Sequence, residues 1–201
     1  RRNGLRFVLL NAPGPKYTGG ARGFAAVPGG EARFDYDIRR AVRYAQALGA
    51  GMIHVQCGDA AGADAQATLI ANLGRACATL PDGLTLTLEP LNAQDKPGGF
   101  LSRFDLAAEV IAAVDAPHLG LQFDSYHAQV ITGDALGTFH AMRPLIRHIQ
   151  IGDAPKRTAP GTGTVDFSAL FAAIDASGYD GWVSAEYTPK GRTEMGLGWM
   201  H

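Results

Sequence analysis

Four short, apolar, β-prone runs in this chain each end in one polar side chain able to hold a metal. They are Leu84-Thr85-Leu86-Thr87-Leu88-Glu89, Leu119-Gly120-Leu121-Gln122-Phe123-Asp124, Ile146-Arg147-His148-Ile149-Gln150 and Trp182-Val183-Ser184-Ala185-Glu186. The four end residues are spaced 35, 26 and 36 positions apart, each about the length of a strand-helix-strand unit, roughly 30 residues or more. Parallel strands joined by right-handed helical crossovers all finish on the same side of their sheet, where such folds place their chemistry. Glu89, Asp124, Gln150 and Glu186 are therefore expected to converge on one site. Three carboxylates and an amide oxygen make a hard oxygen cage, suited to Mg²⁺ or Mn²⁺ rather than to zinc.

The rest of the chain keeps the same alternation. Strand-like runs begin near Leu5, Met52, Leu84, Leu119, Ile146 and Trp182. Between them, helical periodicity runs over 37–48 closing on Gly49, 63–80 closing on Pro81, 102–114 with Ser102 and Asp105 spaced like a capping box, 134–143, and 168–177 closing on Gly178. Six βα units predict an α/β fold with a parallel sheet, in one domain over 1–201. A closed barrel needs eight units, so the expectation is a (β/α)8 barrel of which this chain carries strands 3 to 8, the first two βα units being absent. An open six-stranded sheet is the alternative, and it would leave two long apolar edges. The longer segments after the strands, 11–30, 58–62, 92–101 and 152–166, are the expected functional loops.

Charge and composition narrow the class of partner. The net charge is −1 with a pI near 6.6, and no basic run appears, so no nucleic-acid footprint is expected. No apolar stretch approaches the roughly 20 residues that span a bilayer, and no signal-cleavage pattern follows the first residues, which predicts a cytoplasmic protein without a membrane partner. Cys57 and Cys77 lack CxxC spacing and read as free thiols.

Further candidates surround the four strand ends. His127 follows Asp124 by three in Asp124-Ser125-Tyr126-His127 and, on the exiting loop, is placed to hydrogen-bond a substrate oxygen. His148 shares a strand face with Gln150, and His54 shares one with Gln56; His148 is either a support for the site or a satisfied core histidine. Arg157, just beyond Gln150, is a candidate carboxylate clamp. His118, His140 and His201 read as surface or chain-end residues. Gly161-Thr162-Gly163 lacks a phosphate-binding pattern and reads as a tight turn into the next helix.

At these residues the chain resembles the hydroxypyruvate isomerase family of the xylose isomerase-like TIM barrels. The matching stretches are Leu10-Asn11-Ala12-Pro13-Gly14, Arg22-Gly23, His54-Val55-Gln56-Cys57-Gly58, Leu88-Glu89-Pro90-Leu91-Asn92, Asp124-Ser125-Tyr126-His127-Ala128-Gln129, His148-Ile149-Gln150-Ile151-Gly152-Asp153, Pro160-Gly161-Thr162-Gly163 and Glu186-Tyr187. Two departures stand out: Thr164 follows the Gly-Thr-Gly turn where the family carries an acidic residue, and the family's first two strands have no counterpart. The resemblance implies interconversion of hydroxypyruvate and tartronate semialdehyde, an aldose-ketose type isomerisation in glyoxylate metabolism. Glu89 and Glu186 would then be the general base and its partner acid, with a divalent cation on Glu89, Asp124, Gln150 and Glu186. His127, Arg157, His54 and Asn11 would hold the substrate, a small hydroxy-oxo acid or sugar, and a homo-oligomer is compatible with this reading. Rival readings are an isomerase or epimerase of a four-carbon oxo acid or a ketose, an endonuclease-IV-like enzyme, and a non-catalytic binding protein.

Overall fold

A computed structural model of the chain describes residues 3–12 and 22–200. They form two compact units, residues 1–120 and 121–201, so that the second begins inside a strand.

The first unit contains β1 (Leu9–Asn11), α1 (Glu31–Leu48), β2 (Met52–His54), α2 (Ala63–Ala78), β3 (Thr85–Leu88) and α3 (Phe104–Val114). Its strands run parallel, with Leu9, Met52 and Thr85 in register and Asn11, His54 and Thr87 in register two residues on. Ile53, Leu86 and Leu88 are fully buried between strand and helix layers. On α1 the residues Phe34, Ile38, Ala41 and Ala45 form the buried stripe, spaced for one helix face. Ala41 and Ala45 on α1 and Ala65 on α2 are fully buried, and the two helices pack against each other. Buried Asn72 ties α2 to the loop after β1: its amide donates to the Ala25 carbonyl at 2.8 Å, and Arg75 donates to its oxygen at 2.6 Å.

The second unit contains β4 (Leu119–Asp124), α4 (Ser125–Thr132), α5 (Ala135–Met142), β5 (Ile146–Ile151), α6 (Phe167–Ala176) and β6 (Val183–Ala185). Its strands are again parallel, with Asp124 opposite Gln150 and Gln150 opposite Ser184. Phe123 and Phe139 meet edge to face at 5.7 Å in the core with Leu121, Ile149, Ile151 and Leu170. Aspartates start three helices here: Asp124, Asp134 and Asp166 each accept a backbone N–H of the first turn.

The alternation of strands and helices is as expected, with four differences of detail. The first strand starts at Leu9, and Leu5 is 74% exposed. Helix α1 starts at Glu31, ahead of Asp37, because Phe34 supplies an apolar anchor one turn before Ile38. Ser102 and Asp105 form no capping box: the N-cap is Arg103, and Asp105 instead accepts from Leu106 N and forms an exposed ion pair with Arg103. The segment after Asp124 is the helix α4 rather than a loop, since Asp124 caps it.

The 152–166 loop is wound around one side chain. Asp153 is fully buried; Oδ2 accepts from Thr162 N at 2.9 Å and Gly163 N at 2.7 Å, and Oδ1 accepts from Val165 N at 3.0 Å. A Cβ on Gly163 would lie 2.0 Å from the Ala154 carbonyl oxygen, so only glycine permits this approach. The Gly-Thr-Gly segment is thus a tight turn leading to α6, as expected. Removing the carboxylate strands three backbone donors. Asp153→Ala is predicted to lower unfolding stability by at least about 3 kcal/mol, measured by urea titration; a loss under about 1 kcal/mol would show that the loop holds without it.

Candidate functional site

In the first unit the strand ends bring Asn11, His54 and Glu89 together. Asn11 and His54 are the last residues of β1 and β2 and face each other in register. Glu89 directly follows β3, where Pro90 cannot donate to a continuing ladder. His54 Nδ1 lies 3.1 Å from Asn11 Oδ1 and 3.5 Å from Glu89 Oε2. Both neighbours are acceptors, so Nδ1 carries the hydrogen and the ring is held toward the carboxylate. His54 and Glu89 are 5% and 7% exposed, and with Gln56 they line a cavity of about 110 Å³.

In the second unit each strand carries a polar pair at alternate positions: Gln122 and Asp124 on β4, His148 and Gln150 on β5, Ser184 and, just past β6, Glu186. The pairs are cross-linked. Gln122 Nε2 donates to Gln150 Oε1 at 2.5 Å, leaving that oxygen a second lone pair. His148 Nε2 and Ser184 Oγ are 2.9 Å apart. Above this layer Arg157 Nη2 binds two carboxylates at once, Asp124 Oδ2 at 3.1 Å and Glu186 Oε1 at 2.7 Å. Its Nε donates to the Glu186 carbonyl at 3.3 Å, and its guanidinium lies 5.3 Å from the Tyr126 ring centroid. Arg157 adopts φ 52°, a left-handed conformation unusual for arginine, held by Thr188 N donating to its carbonyl at 2.8 Å.

Asp124 is fully buried, and that burial pushes its carboxyl pKa up; Arg157 opposes the shift, Glu186 reinforces it, and the N–H groups of Tyr126 and His127 oppose it. Those two N–H groups meet Asp124 Oδ1 at 2.8 and 3.4 Å. His127 is buried in the first turn of α4, its ring 5.1 Å from that of Tyr126, so it is a fixed group rather than a loop residue. His118 and His140 are exposed as expected, and His201 lies outside the described residues. Cys57 and Cys77 are free thiols; burial pushes Cys57 up to about 12.

Sequence reading passed over Gln122, Ser184, Thr87 and Lys96. The first three had a visible signal, a polar residue two positions before a strand-end carboxylate, which the period of two places on the same face. Arg22, quoted in the matching Arg22-Gly23 stretch but given no role, and Lys96 line the cavity beside Glu89 from loops, a placement that only the structure reveals.

Residues 1–201 match the family model described as xylose isomerase-like TIM barrel. The chain belongs to that family. Among similar proteins, a 2-oxo-tetronate isomerase from Cupriavidus necator is 41% identical over 98% of this chain and 78% of its own length. A hydroxypyruvate isomerase from Escherichia coli K12 is 38% identical over 98% of this chain and 79% of its own. A crystal structure titled AP endonuclease, family 2, from Brucella melitensis superposes with a TM-score of 0.94 at 35% identity, covering 99% of this chain and 79% of that one. As a xylose isomerase-like TIM barrel, the chain carries the parallel βα repeats expected from its strand-end spacing. Among the described residues no helix is long and apolar enough to cross a membrane.

His148 is 3% exposed, its Nδ1 has no hydrogen-bond partner among the described residues, and burial pushes its pKa from 6.5 down to about 4. The folded state therefore binds a proton less readily than the unfolded chain. The associated stability is complete above about pH 6.5 and is lost as pH falls toward 4. Between pH 7 and 4.5 wild type should lose about 2 kcal/mol more than His148→Gln. Parallel acid slopes in urea unfolding of the two proteins would contradict a buried neutral imidazole.

Proposed function

We propose that this chain isomerises a small hydroxy-oxo acid, with hydroxypyruvate and tartronate semialdehyde as the substrate pair. The observation that carries this reading is the family match joined to two relatives, 41% and 38% identical across 98% of the chain, that are named isomerases of such acids. The pairing of two strand-end carboxylates about one cationic nitrogen supports it chemically. A four-carbon substrate, 2-oxo-tetronate, is the second reading, favoured by the relative at 41% identity.

The donor chemistry fits a divalent cation. Asp124 and Glu186 already share one positive group in Arg157, and the Gln150 oxygen retains a lone pair. Glu89, Asp124, Gln150 and Glu186 would hold Mg²⁺ or Mn²⁺, all through oxygen. Once bound, such an ion supplies Lewis-acid stabilisation of the negative charge that develops on the substrate's oxygens.

The chain's own residues move the protons. Hydroxypyruvate and tartronate semialdehyde differ by one hydrogen shifted from C3 to C2 and one shifted between the oxygens on those carbons. One of Glu89 and Glu186 removes the C3 proton and the other delivers a proton to C2, while the hydroxyl hydrogen passes from O3 to O2. His54 holds Glu89 in orientation through Nδ1. Asn11, His127 and Arg157 orient the substrate's oxygens.

Glu89→Gln and Glu186→Gln preserve shape while removing proton-transfer capacity. Each is expected to lower kcat on hydroxypyruvate by about 100-fold or more with an unchanged circular dichroism spectrum. Retention of more than about a tenth of kcat, under 1.4 kcal/mol of barrier, would exclude that residue from the proton relay. Steady-state kcat/KM on hydroxypyruvate and on 2-oxo-tetronate decides between the two substrates.

A further inference from the structure

The cavity beside Glu89 contains two cationic side chains with no role so far. Its polar lining is Arg22, His54, Gln56, Asp59, Glu89 and Lys96. Arg22 Nη1 is buried and has no hydrogen-bond partner among the described residues. Such a donor is costly when left unmade, because a desolvated guanidinium N–H loses water without gaining an acceptor. Neither Asp59 nor Glu89 pairs with it, although both line the same cavity. Arg157, by contrast, is engaged by Asp124 and Glu186.

Arg22 is held in place by backbone. Gly23 bridges Cys57, and Ala26 N donates to the Cys57 carbonyl at 2.8 Å. A Cβ on Gly23 would lie 2.1 Å from the Gln56 carbonyl oxygen, and one on Gly58 would lie 2.4 Å from the Gly23 carbonyl oxygen. Gly23 and Gly58 have φ of 106° and 90°, so glycine is needed at both for conformation as well as space. The Lys96 loop is pinned to the same strand end: Phe100 N donates to the Gly58 carbonyl at 3.0 Å, and Asp59 bridges Gly99. Asn92 shapes its turn, Oδ1 accepting from Asp95 N at 2.9 Å and its carbonyl from Lys96 N at 3.0 Å. Both cations are thus carried by loops anchored at 57–59.

We propose that Arg22, assisted by Lys96, binds the carboxylate of the substrate and makes the site selective for oxo acids over neutral ketoses. The inference rests on the isomerase reading for its substrate class. A carboxylate accepts from the unsatisfied guanidinium N–H in a charge-assisted bond. In a three-carbon acid the reacting carbons adjoin the carboxylate, so anchoring it at Arg22 sets them beside Glu89, which lines the same small cavity.

The test uses the full chain with Mg²⁺ and compares wild type with Arg22→Gln, Arg22→Lys and Lys96→Gln. The readouts are KM and kcat on hydroxypyruvate and, by calorimetry, the affinities for pyruvate, an oxo acid with no hydroxyl to move, and for neutral dihydroxyacetone. Arg22→Gln should raise KM and weaken pyruvate binding by on the order of 30-fold or more, with kcat within about threefold and dihydroxyacetone affinity unchanged. Arg22→Lys should recover part of the loss, and Lys96→Gln should weaken pyruvate several-fold. Pyruvate affinity within about threefold of wild type in Arg22→Gln, or an equal loss for dihydroxyacetone, overturns the proposal. Should Arg22→Gln fail to fold, unchanged pyruvate affinity in Lys96→Gln overturns it. A wild type inactive on hydroxypyruvate would instead remove the isomerase reading, and the pyruvate affinities would still decide the subsite.

Discussion

Burying the Asp124 carboxylate is the constraint around which the second unit is arranged. A carboxylate removed from water must be met by charge and by hydrogen bonds. Arg157 supplies the charge and the first turn of α4 supplies the N–H groups. Meeting both demands explains two features that look unrelated. The chain turns directly from strand to helix at Asp124, and Arg157 takes up a left-handed backbone conformation to bring its guanidinium in. Glu186 joins the same cation, so two strands are electrostatically tied at their ends.

Beneath that layer the polar side chains are cross-linked in pairs. Gln122 donates to Gln150, and His148 pairs with Ser184, each diagonally across neighbouring strands on which Gln122 stands opposite His148 and Gln150 opposite Ser184. Each pair gives a buried side chain, Gln122 or His148, a half-buried partner on the next strand, and so holds the residue nearer the strand end. Hydrogen bonds between side chains are strong only where geometry is maintained, so this layer demands a rigid sheet. Phe123 against Phe139 and the Leu121, Ile149 and Leu170 core provide it.

The first unit solves a different problem, since two of its polar side chains, Arg22 and Lys96, reach the strand-end residues His54 and Glu89 from loops. Close backbone approach at Gly23 and Gly58 lets two loops anchor on 57–59 without side chains between them. Conformational freedom is thereby spent before any ligand arrives, which favours tight recognition of a small anion over adaptable recognition of many.

Much of this was legible in the amino-acid order. The apolar runs ending at Glu89, Asp124, Gln150 and Glu186 announced parallel βα repeats, because hydrophobic periodicity and turn residues are local properties. They also indicated which residues end the strands and which share a face with them. Other features depended on partners distant in sequence. Arg157 engages Asp124 and Glu186 across 33 and 29 positions. Asp153 gathers three N–H groups of its loop, and Arg22 Nη1 has no hydrogen-bond partner among the described residues. None of these has a local signature, since whether a buried polar atom finds a partner is settled by three-dimensional packing. The sequence by itself determined the order of elements and the oxygen chemistry of their ends; tertiary structure alone decided which charges are paired and which polar atoms are desolvated, because desolvation and pairing exist only once the chain has closed around them.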